Sequence, residues 1–579
     1  MNSAEQKIRI KFEDGQEVIR ERRAVASIDS KECINCGTCR RICPTEAIEE
    51  YQRDICRLCP DCAEGPMIFP SDSPEYATQH SCSIACPLGT VPEGYVNLIA
   101  QEKLAEAYDL ICELNPLPLV CSKICHHPCE EECKRGLLID EPIAIRALKR
   151  FVTENTSPRR EKFVPRYDIK VAIVGAGPAG ITAAFDLAKK GYRITVFEAG
   201  PEPGGMMKRG IPDFRLNKTL LRSEIRQLEE AGINIVYNTI VGKNPTIDDL
   251  LEDGFAAVLI AVGAAKGMTL PIEGIEAEQV YDALSFMERV NAGTPVEIGK
   301  KAIVIGAGSV AIDTARTLLR LGAEEATCVC IESEDTIPAP LSEVLDAKEE
   351  GVKFVTDAAP TKINTEWVTV NGVEFKKVEK IDVDAHGRLL PVTVDGTEFT
   401  LEADTVVFGV GQKPDVNILA KQSNLQLDDA SRIIYDETTL MTSKDKVFVA
   451  GDVVVARGSV IEAMASGRKA ALSIDNLITG RELKEREHRL NAAEVKEKIF
   501  PVQLEELSPQ AVPKLRYRDT NEEVELTFTE KQAVLEAKRC MKCGFEKVDK
   551  VKCIGCGVCV ELCPQNAISL VKISAVEGQ

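Results

Sequence analysis

The sequence predicts an α/β protein with two Rossmann-like three-layer domains, a helical domain rich in cysteine, and small α+β segments at both ends. Two observations support this fold class. An apolar strand, a glycine-rich turn and an amphipathic helix follow one another at Asp168–Gly200, and the same unit recurs at Lys300–Glu332. Of the 22 cysteines, 14 lie between Cys33 and Cys133 and six between Cys540 and Cys563, so the two ends differ in chemistry from the middle.

The cysteines nearest the two ends share one spacing. Each run has the pattern C-x2-C-x2-C-x3-C-P, which is the bacterial ferredoxin arrangement for a [4Fe–4S] cluster. We therefore predict ferredoxin-like segments with the ligands Cys33, Cys36, Cys39 and Cys43 in the first run, and Cys553, Cys556, Cys559 and Cys563 in the second. A secreted disulfide scaffold is disfavoured, because such scaffolds are short chains that carry a signal peptide.

A third group of cysteines follows the first run. Cys56, Cys59 and Cys62 supply three of the four ligands that a further cluster needs, and Pro66 stands where a fourth cysteine would follow. In two-cluster ferredoxins the last cysteine of a run serves the other cluster, so Cys43 is one possible partner. We expect this group to bind iron, with its fourth ligand left open.

The first glycine-rich turn has the spacing of a dinucleotide site. Gly175, Gly177 and Gly180 form a G-x-G-x-x-G motif between an apolar strand and a helix, where backbone amides can approach a pyrophosphate. Glu198 ends the next strand at about the distance expected for an acid that binds a ribose hydroxyl. Strand, helix and acid together predict nucleotide binding more strongly than the glycines alone.

The second glycine-rich turn is a variant of the first. Gly306 and Gly308 are followed by Ala311 in place of the third glycine, which this motif accepts. Glu332 again follows the second strand. A carboxylate there accepts hydrogen bonds from a ribose 2′-hydroxyl and repels a 2′-phosphate, so the residues favour NAD(H) over NADP(H).

The charge and hydropathy of the chain exclude some partner classes. The formal net charge is −20, which argues against nucleic acid or an anionic membrane as the main partner. No run of about 18 apolar residues predicts a membrane span, and the stretch MNSAEQKIRIKFEDG lacks an apolar signal region. We expect a cytoplasmic protein.

Six segments carry a resemblance to a known family. They are CSIACPLGTVP (82–92), NPLPLVCSKICHHPCEEEC (115–133), GAGPAG (175–180), GGMMKRGIPDFRL (204–216), GAGSVAIDTAR (306–316) and VFVAGDVV (447–454). The region 75–480 resembles the glutamate synthase small-subunit family. That family includes the large subunit of NADH-dependent ferredoxin:NADP oxidoreductase and the flavin end of dihydropyrimidine dehydrogenase.

The resemblance implies FAD at the first nucleotide site and NAD(P) at the second. The implied FAD residues are Gly175, Gly177, Pro178, Ala179, Gly180, Glu198, Gly205, Met206, Arg209, Ile211, Gly451 and Asp452. The implied NAD(P) residues are Gly306, Gly308, Ser309, Val310, Ala311 and Glu332. Relatives that use NADPH carry an Arg-Arg pair where this chain has Ile331-Glu332, which again favours NAD(H).

The resemblance also suggests how one cluster of the helical domain is completed. Relatives begin that domain with an Arg-Cys-x-x-Cys motif that is missing here, and EAKRCMKCG near the other end looks like it. Our hypothesis is that Cys540 and Cys543 fold back to join Cys82 and Cys133 around one cluster. The alternatives are a separate site with nearby cysteines, or free thiols.

The second cluster of the helical domain has an uncertain fourth ligand. Cys86, Cys125 and Cys129 supply three, and relatives often use a Glu or Gln on the following helix as the fourth. Lys149 occupies that place here, and a protonated amine cannot ligate iron. Cys121 is the nearest substitute. The ligand count supports about four to five [4Fe–4S] clusters in the chain.

These patterns divide the chain into six parts. We predict a ferredoxin-like segment at 1–70, a helical Fe–S domain at 71–162, an FAD-binding domain at 163–290 and 400–480, an NAD(P)-binding domain at 291–399, a linker at 481–530, and a ferredoxin-like domain at 531–579.

The resemblance implies a flavin-dependent NAD(P)H oxidoreductase of the NADH:ferredoxin or transhydrogenase type. We expect a subunit that passes electrons between a nicotinamide nucleotide and a [4Fe–4S] chain in a ferredoxin-linked complex, with electron bifurcation left open. Its partners would be other redox subunits and ferredoxin, and neither nucleic acid nor a membrane. The alternatives are the small subunit of an NADPH glutamate synthase and a non-catalytic electron-transfer or assembly subunit.

Overall fold

The computed structural model describes residues 7–11, 17–21, 24–29, 33, 35–36, 38–43, 47–52, 82–138, 140–156, 160, 162–384, 389–429, 431–454, 458–481, 491–492, 508–513, 522–548, 558–563, 565 and 567–572. Five of the predicted iron ligands lie outside these residues, namely Cys56, Cys59, Cys62, Cys553 and Cys556. Their roles stay predictions.

The described strands run in chain order as follows: β1 Lys7–Lys11, β2 Glu17–Glu21, β3 Ala24–Ile28, β4 Ile48–Gln52, β5 Lys170–Val174, β6 Arg193–Phe197, β7 Asn234–Val236, β8 Phe255–Ile260, β9 Lys266–Gly267, β10 Val280–Asp282, β11 Lys301–Ile305, β12 Glu325–Val329, β13 Lys353–Val355, β14 Ala358–Glu366, β15 Thr369–Val383, β16 Leu389–Thr393, β17 Phe399–Leu401, β18 Thr405–Phe408, β19 Gln412–Lys413, β20 Val447–Val449, β21 Asn491–Ala492, β22 Gly544–Val548 and β23 Ile568–Lys572.

The described α-helices are α1 Thr38–Ile42, α2 Pro92–Ala100, α3 Leu104–Leu114, α4 Pro118–Ile124, α5 Pro128–Glu131, α6 Lys134–Leu138, α7 Ile145–Asn155, α8 Pro178–Lys190, α9 Met206–Arg209, α10 Lys218–Ala231, α11 Ile247–Glu252, α12 Ala283–Asn291, α13 Ser309–Arg320, α14 Leu341–Glu349, α15 Asn417–Ser423, α16 Val460–Thr479, α17 Glu530–Lys538 and α18 Val558–Glu561.

Two parallel five-stranded sheets form the middle of the molecule. The first has the order β20-β8-β5-β6-β7, and the second has the order β10-β18-β11-β12-β13. The central strands β5, β8, β11 and β18 are buried along most of their length, as expected for parallel sheets that are covered by helices on both faces. The predicted α/β class with two Rossmann-like domains is confirmed.

The return from the second domain to the first comes later than we expected. β18 pairs in parallel with β11 and completes the second sheet, although residues 400–480 were predicted to belong to the FAD-binding domain. Likewise β10 and α12 belong with the second sheet, although β10 lies before residue 291 and α12 ends there. The apolar sequence of β18 is typical of a buried strand in either parallel sheet. The strand with which it pairs therefore determines the domain to which it belongs.

The two ends of the chain form one small unit. β3 pairs antiparallel with β23, and β4 pairs antiparallel with β22. Their shared core contains Ala26, Ala47, Ile48, Val548 and Ile568. The predicted ferredoxin-like segments therefore meet in a common fold and do not stand apart.

The helical domain also recruits residues from the far end of the chain. Phe528, Ala533 and Ala537 are buried with side chains of α2, α3 and α7. A division at residue 531, as we predicted, would cut through this core. α17 completes the helical domain because its buried side chains Ala533 and Ala537 pack with apolar side chains of α2, α3 and α7.

Candidate functional site

The first glycine-rich turn is shaped by close backbone contacts. Gly175 has a φ of 107°, and a Cβ added there would lie 2.5 Å from the carbonyl oxygen of Ala261. Gly205 approaches Gly177 so closely that a Cβ added at Gly205 would lie 3.0 Å from the Cα of Gly177. No side chain caps the N-terminus of the 13-residue helix α8. Its amides therefore face a concave, glycine-lined turn that suits a pyrophosphate.

Glu198 lies at the rim of this turn. Its Oε2 accepts a hydrogen bond from the backbone N–H of Ala176 at 2.9 Å, and its Oε1 accepts one from Gly200 at 2.8 Å. Each carboxylate oxygen retains a second lone pair. The geometry holds the carboxylate beside the turn, where the sequence pattern places a ribose-binding acid.

Asp452 supplies a polar group with an unfilled hydrogen bond. Among the described residues its buried Oδ1 has no hydrogen-bond partner. Burial raises the pKa of this carboxyl to about 6, and nearby Glu462 acts in the same direction. The preceding Gly451 lies against Ala179 at the start of α8, where a Cβ added at Gly451 would be 2.9 Å from the Cβ of Ala179. An orphaned carboxylate beside the glycine-rich turn fits a bound group with hydroxyls, as FAD has.

Two of the implied FAD residues, Met206 and Arg209, lie in the short helix α9. Met206 begins this helix, and Ile211 follows it. Arg209 pairs with Glu288 of the second domain through two hydrogen bonds of 2.8 and 2.7 Å. Asn291 donates to the carbonyls of Arg209 and Ile211, so this segment bridges the two domains.

The second glycine-rich turn opens onto α13. Gly306 has a φ of 116°, and a Cβ added at Gly308 would meet nothing within 4 Å. Ala311 is accommodated because Gly409 faces it, where an added Cβ would lie 2.7 Å from that of Ala311. Ser309 and Val310 form the first turn of the helix, and its amides lack a side-chain cap. The turn has the open shape that a nucleotide phosphate needs.

Glu332 follows β12 in an acidic neighbourhood. Its carbonyl accepts a hydrogen bond from the backbone of Asp357 at 3.0 Å. Burial raises the pKa of the nearby Cys330 thiol to about 12, and the carboxylates of Glu332 and Asp357 contribute. Arg316 and Arg320 of α13 both pair with Glu350, so both guanidinium groups are engaged within the protein.

Four cysteines from both ends of the chain line one cavity. Cys82, Cys133, Cys540 and Cys543 are among the residues that line it, and we call it the four-cysteine cavity. Burial raises the pKa of the Cys540 thiol to about 12. The structure thus brings together the four residues of the fold-back hypothesis. Whether they bind iron stays a prediction.

A buried charge network anchors the far-end pair of cysteines. Arg539 and Arg135 are both about 1% exposed. Arg539 pairs with Glu536 at 2.6 Å, and Arg135 donates to the carbonyl of Arg539 at 2.7 Å. Glu536 also accepts the backbone N–H of Ala144 at 2.9 Å. These contacts hold α17 and the following cysteines against α6 and α7.

Three further cysteines form what we call the three-cysteine site: Cys86, Cys125 and Cys129. The Sγ of Cys86 lies 3.0 Å from the Oγ1 of Thr90, and the backbone N–H of His127 donates to the Sγ of Cys125 at 3.4 Å. Burial raises the pKa of the Cys125 thiol, which Lys149 partly opposes. Lys149 thus lies beside these cysteines, as its place in the sequence predicted.

The first nucleotide domain fixes the three-cysteine site in place. Glu224 of α10 accepts the backbone N–H groups of Leu119 and Val120, at 2.8 and 2.9 Å, at the start of α4. Arg468 of α16 donates to the carbonyls of Leu88 and Leu114. The helical domain and the first sheet therefore share one packed interface.

The joined ends bring cysteines of both ferredoxin runs together. Cys33, Cys36, Cys39 and Cys559 are buried. Burial raises the pKa of the Cys36 thiol, and Cys563 of the other run is among the groups that contribute. Cys43 accepts the backbone N–H of Ala47 at 3.3 Å.

The small unit formed by the two ends of the chain, which we call the terminal unit, lies directly against the helical domain. A Cβ added at Gly94 of α2 would be 2.8 Å from the Cα of Cys36. Arg41 pairs with Glu113 of α3 at 2.6 Å. Glu93, the neighbour of Gly94, lines the four-cysteine cavity. The first ferredoxin run and this cavity are therefore neighbours across one helix.

Within the described part of the chain, no three His, Cys, Asp or Glu side chains converge on a site for one metal ion. A [4Fe–4S] cluster spaces its ligands more widely, because each thiolate binds a different iron atom. Nor is any helix in the described ranges long and apolar enough to cross a membrane.

Several residues that shape these sites were missed by sequence reasoning. Gly94, Asn97 and Arg135 belong to no motif that we used, and Arg539 was not singled out although it stands in one. Arg539 had one available signal, because it precedes Cys540 in the Arg-Cys-x-x-Cys pattern. The others act through contacts between distant segments, which local periodicity does not encode.

Three family profiles match four stretches of the chain. The profile described as pyridine nucleotide-disulphide oxidoreductase matches residues 169–467. The profile of dihydropyrimidine dehydrogenase domain II, 4Fe-4S cluster, matches residues 76–161. The 4Fe-4S binding domain matches residues 26–49 and 546–569.

Three relatives illustrate the similarity along the chain. The NADPH-Fe(3+) oxidoreductase subunit beta of Geobacter sulfurreducens is 33% identical, covering 80% of this chain and 75% of the relative. The NADP(+)-dependent formate dehydrogenase subunit beta of Moorella thermoacetica is 34% identical, covering 80% and 70%. The glutamate synthase [NADPH] small chain of Escherichia coli is 34% identical, covering 68% and 88%.

Proposed function

The chain belongs to the glutamate synthase small-subunit-like family of FAD- and iron–sulfur-dependent pyridine nucleotide oxidoreductases, and from that premise we propose that it passes electrons between NAD(H) and a chain of [4Fe–4S] clusters. FAD, when bound, would exchange a hydride with the nicotinamide and single electrons with the clusters. The observation that carries the proposal is the four-cysteine cavity, which cysteines from distant parts of the sequence line within the helical domain.

The first glycine-rich turn would hold the FAD. The backbone at Gly175, Gly177 and Gly180 leaves room for a pyrophosphate, and Glu198 would accept hydrogen bonds from the adenosine ribose. Asp452 would fill its free hydrogen-bonding position on Oδ1 with a hydroxyl of the ribityl chain. These residues bind and orient the cofactor, and the packed interface with the helical domain keeps it near the cysteines.

The terminal unit would hold two clusters with exchanged ligands. In two-cluster ferredoxins the last cysteine of each run ligates the other cluster. Cys563 lies beside Cys36, which supports a first cluster on Cys33, Cys36, Cys39 and Cys563. Cys43 would then join Cys553, Cys556 and Cys559.

The contact at Gly94 supports an electron route between the two groups. Cys36 packs on Gly94, and Glu93 of the same helix lines the four-cysteine cavity. The route would lead from the flavin through the helical domain to the joined ends of the chain. A redox partner such as ferredoxin would exchange electrons at the terminal unit, consistent with relatives that are themselves named as subunits.

The preference for NAD(H) rests on the second nucleotide site. Glu332 and Asp357 make the end of β12 acidic, and Arg316 and Arg320 are paired with Glu350. A 2′-phosphate would find repulsion and no free guanidinium among these groups. We expect Glu332→Arg to shift the ratio of kcat/KM toward NADPH by about tenfold or more, since one charge interaction of about 1.4 kcal/mol gives that factor. Steady-state kinetics with both nucleotides measures the ratio.

An anaerobic titration tests the proposed function itself. Purified protein with counted FAD and iron is mixed with NADH or NADPH, and the flavin and cluster absorbance is followed. We expect stoichiometric bleaching with NADH at lower concentration than with NADPH. Bleaching with neither nucleotide would show that the chain is an electron-transfer or assembly subunit. A stronger response to NADPH would overturn the nucleotide preference alone.

A further inference from the structure

Helix α7 turns one face toward the loop of the three-cysteine site. The backbone N–H of Arg146 donates to Glu130 at 2.7 Å, and its guanidinium donates to the carbonyl of Lys123 at 2.8 Å. Two turns later Thr153 donates to Ser122 at 3.3 Å. Lys149 lies between these contacts on the same face, because residues three and four apart share one side of a helix.

Lys149 differs from the neighbouring cations Lys123 and Arg146. Its side chain is buried, with 5% of the residue exposed, yet it has no carboxylate partner among the described residues. Lys123 pairs with Glu154 and Glu523, and Arg146 pairs with Glu525. The groups that act most strongly on the Lys149 ammonium are instead the thiols of Cys125, Cys121, Cys129 and Cys86.

A buried cation without an anion is costly. The penalty for removing an ammonium from water is several kcal/mol even after relaxation, unless an opposite charge compensates it. Glutamates balance the charges of the neighbouring Lys123 and Arg146. At Lys149 the opposing groups are the carboxyl of Glu130, whose pKa the ammonium lowers without forming an ion pair with it, and the neighbouring thiols with what they hold.

The surroundings of Cys121 differ from those expected of a fourth iron ligand. Its Sγ lies 3.5 Å from the Sδ of Met464 and 3.7 Å from the Oδ1 of Asn115. The side chain is 1% exposed and packs with Leu117 and Val120 in the core shared with the first nucleotide domain. A buried thiol in such a setting is typical of a structural cysteine.

We propose that the three-cysteine site holds an iron–sulfur cluster with only three protein thiolates, and that the Lys149 ammonium is its buried counter-ion at the fourth corner. This inference rests on the proposed function, which places a cluster at Cys86, Cys125 and Cys129. One iron of that cluster then lacks a cysteine ligand. The cation also makes the cluster easier to reduce, because net charge around a cluster sets its reduction potential.

The test is an anaerobic redox titration of the full-length protein monitored by EPR. Cys125→Ser first identifies which cluster signal belongs to this site. Lys149→Met removes the charge at similar side-chain length, and we expect that signal to move to a more negative potential with the iron content unchanged. Lys149→Arg keeps the charge, and its potential should remain close to the parent value. Cys121→Ser should change neither the signal nor the iron content.

The outcomes separate this inference from the proposed function. If Cys125→Ser removes no signal, no cluster resides at this site and both fail. If it removes a signal that Lys149→Met does not move, only the counter-ion role is wrong. Loss of iron or of that signal in Cys121→Ser would make Cys121 the fourth ligand and overturn the proposal. If Lys149→Met loses its cluster while Lys149→Arg keeps both cluster and potential, the charge requirement is supported.

Discussion

The four-cysteine cavity and the three-cysteine site lie in the same helical domain but are completed in different ways. The four-cysteine cavity takes two of its thiols from the far end of the chain, and a buried pair of arginines secures them. The three-cysteine site uses residues of one short stretch and places a lysine where a further ligand would stand. The comparison teaches that a group of cysteines in one domain can be completed either by cysteines from a distant part of the chain or by a cation close to it.

Removing the far-end thiols should have the largest effect on this comparison. In a Cys540→Ser/Cys543→Ser double variant, the four-cysteine cavity keeps only two thiols, too few to hold a cluster. We expect the iron content to fall by about four atoms per chain, while the EPR signal assigned to the three-cysteine site persists. Iron analysis and EPR of the anaerobically purified protein measure both.

A matched control uses cysteines that are buried elsewhere. Cys328→Ala/Cys330→Ala alters two thiols of the second nucleotide domain, which pack as structural side chains. Its iron content should equal that of the parent. Unchanged iron in the Cys540→Ser/Cys543→Ser variant would show that the cavity does not bind a cluster.

Breaking the arginine network should have the next largest effect. Arg539→Met leaves Glu536 and the carbonyls around it buried without their cation, which typically costs about 3–5 kcal/mol. We expect faster amide hydrogen exchange in α17 and partial loss of the cluster from the four-cysteine cavity. The exposed neighbour Lys538 provides the control, since Lys538→Met should change stability by no more than about 0.5 kcal/mol. Equal exchange rates in the two variants would contradict a structural role for the buried network.

The smallest expected effect comes from a single hydroxyl. Thr90 is 2% exposed, and its Oγ1 lies 3.0 Å from the Sγ of Cys86. Thr90→Val removes this hydrogen bond at nearly constant volume, and hydrogen bonds to cluster sulfur favour the reduced form. The potential of the three-cysteine site should become slightly more negative, by less than in Lys149→Met. Asn97→Leu, whose amide lies 3.7 Å from the Sγ of Cys540, should leave this potential unchanged and affect only the four-cysteine cavity.

Local sequence patterns predicted the parts of the fold that are built locally. Each glycine-rich turn sits between its strand and its helix, so the two Rossmann-like domains followed directly from the motifs. β18 was assigned to the wrong sheet because an apolar run of residues does not indicate the strand with which it will pair. Likewise, nothing in the two ferredoxin runs indicated that β3 and β23 would pair across the length of the chain.

The candidate sites likewise combine features that the sequence predicted with features that only the structure showed. The approach of Cys540 and Cys543 to Cys82 could be proposed because a familiar motif was missing from one place and present in another. The orphaned Oδ1 of Asp452 could not be foreseen, since it depends on which groups surround that carboxylate in three dimensions. Lys149 was noticed only as the absence of a ligand, and its burial without a carboxylate partner required the structure.

The pairing of distant cysteines sets an order for biogenesis. Ribosomes add roughly 5–20 residues per second, so Cys540 emerges about 20 to 80 s after Cys133. Throughout that interval the nascent helical domain carries two thiols of an incomplete site, together with the apolar surface that α17 later covers. Under the proposed function, the loading of this cavity with a cluster would therefore follow the synthesis of α17, and a chain that stalls before α17 would lack two of the four thiols.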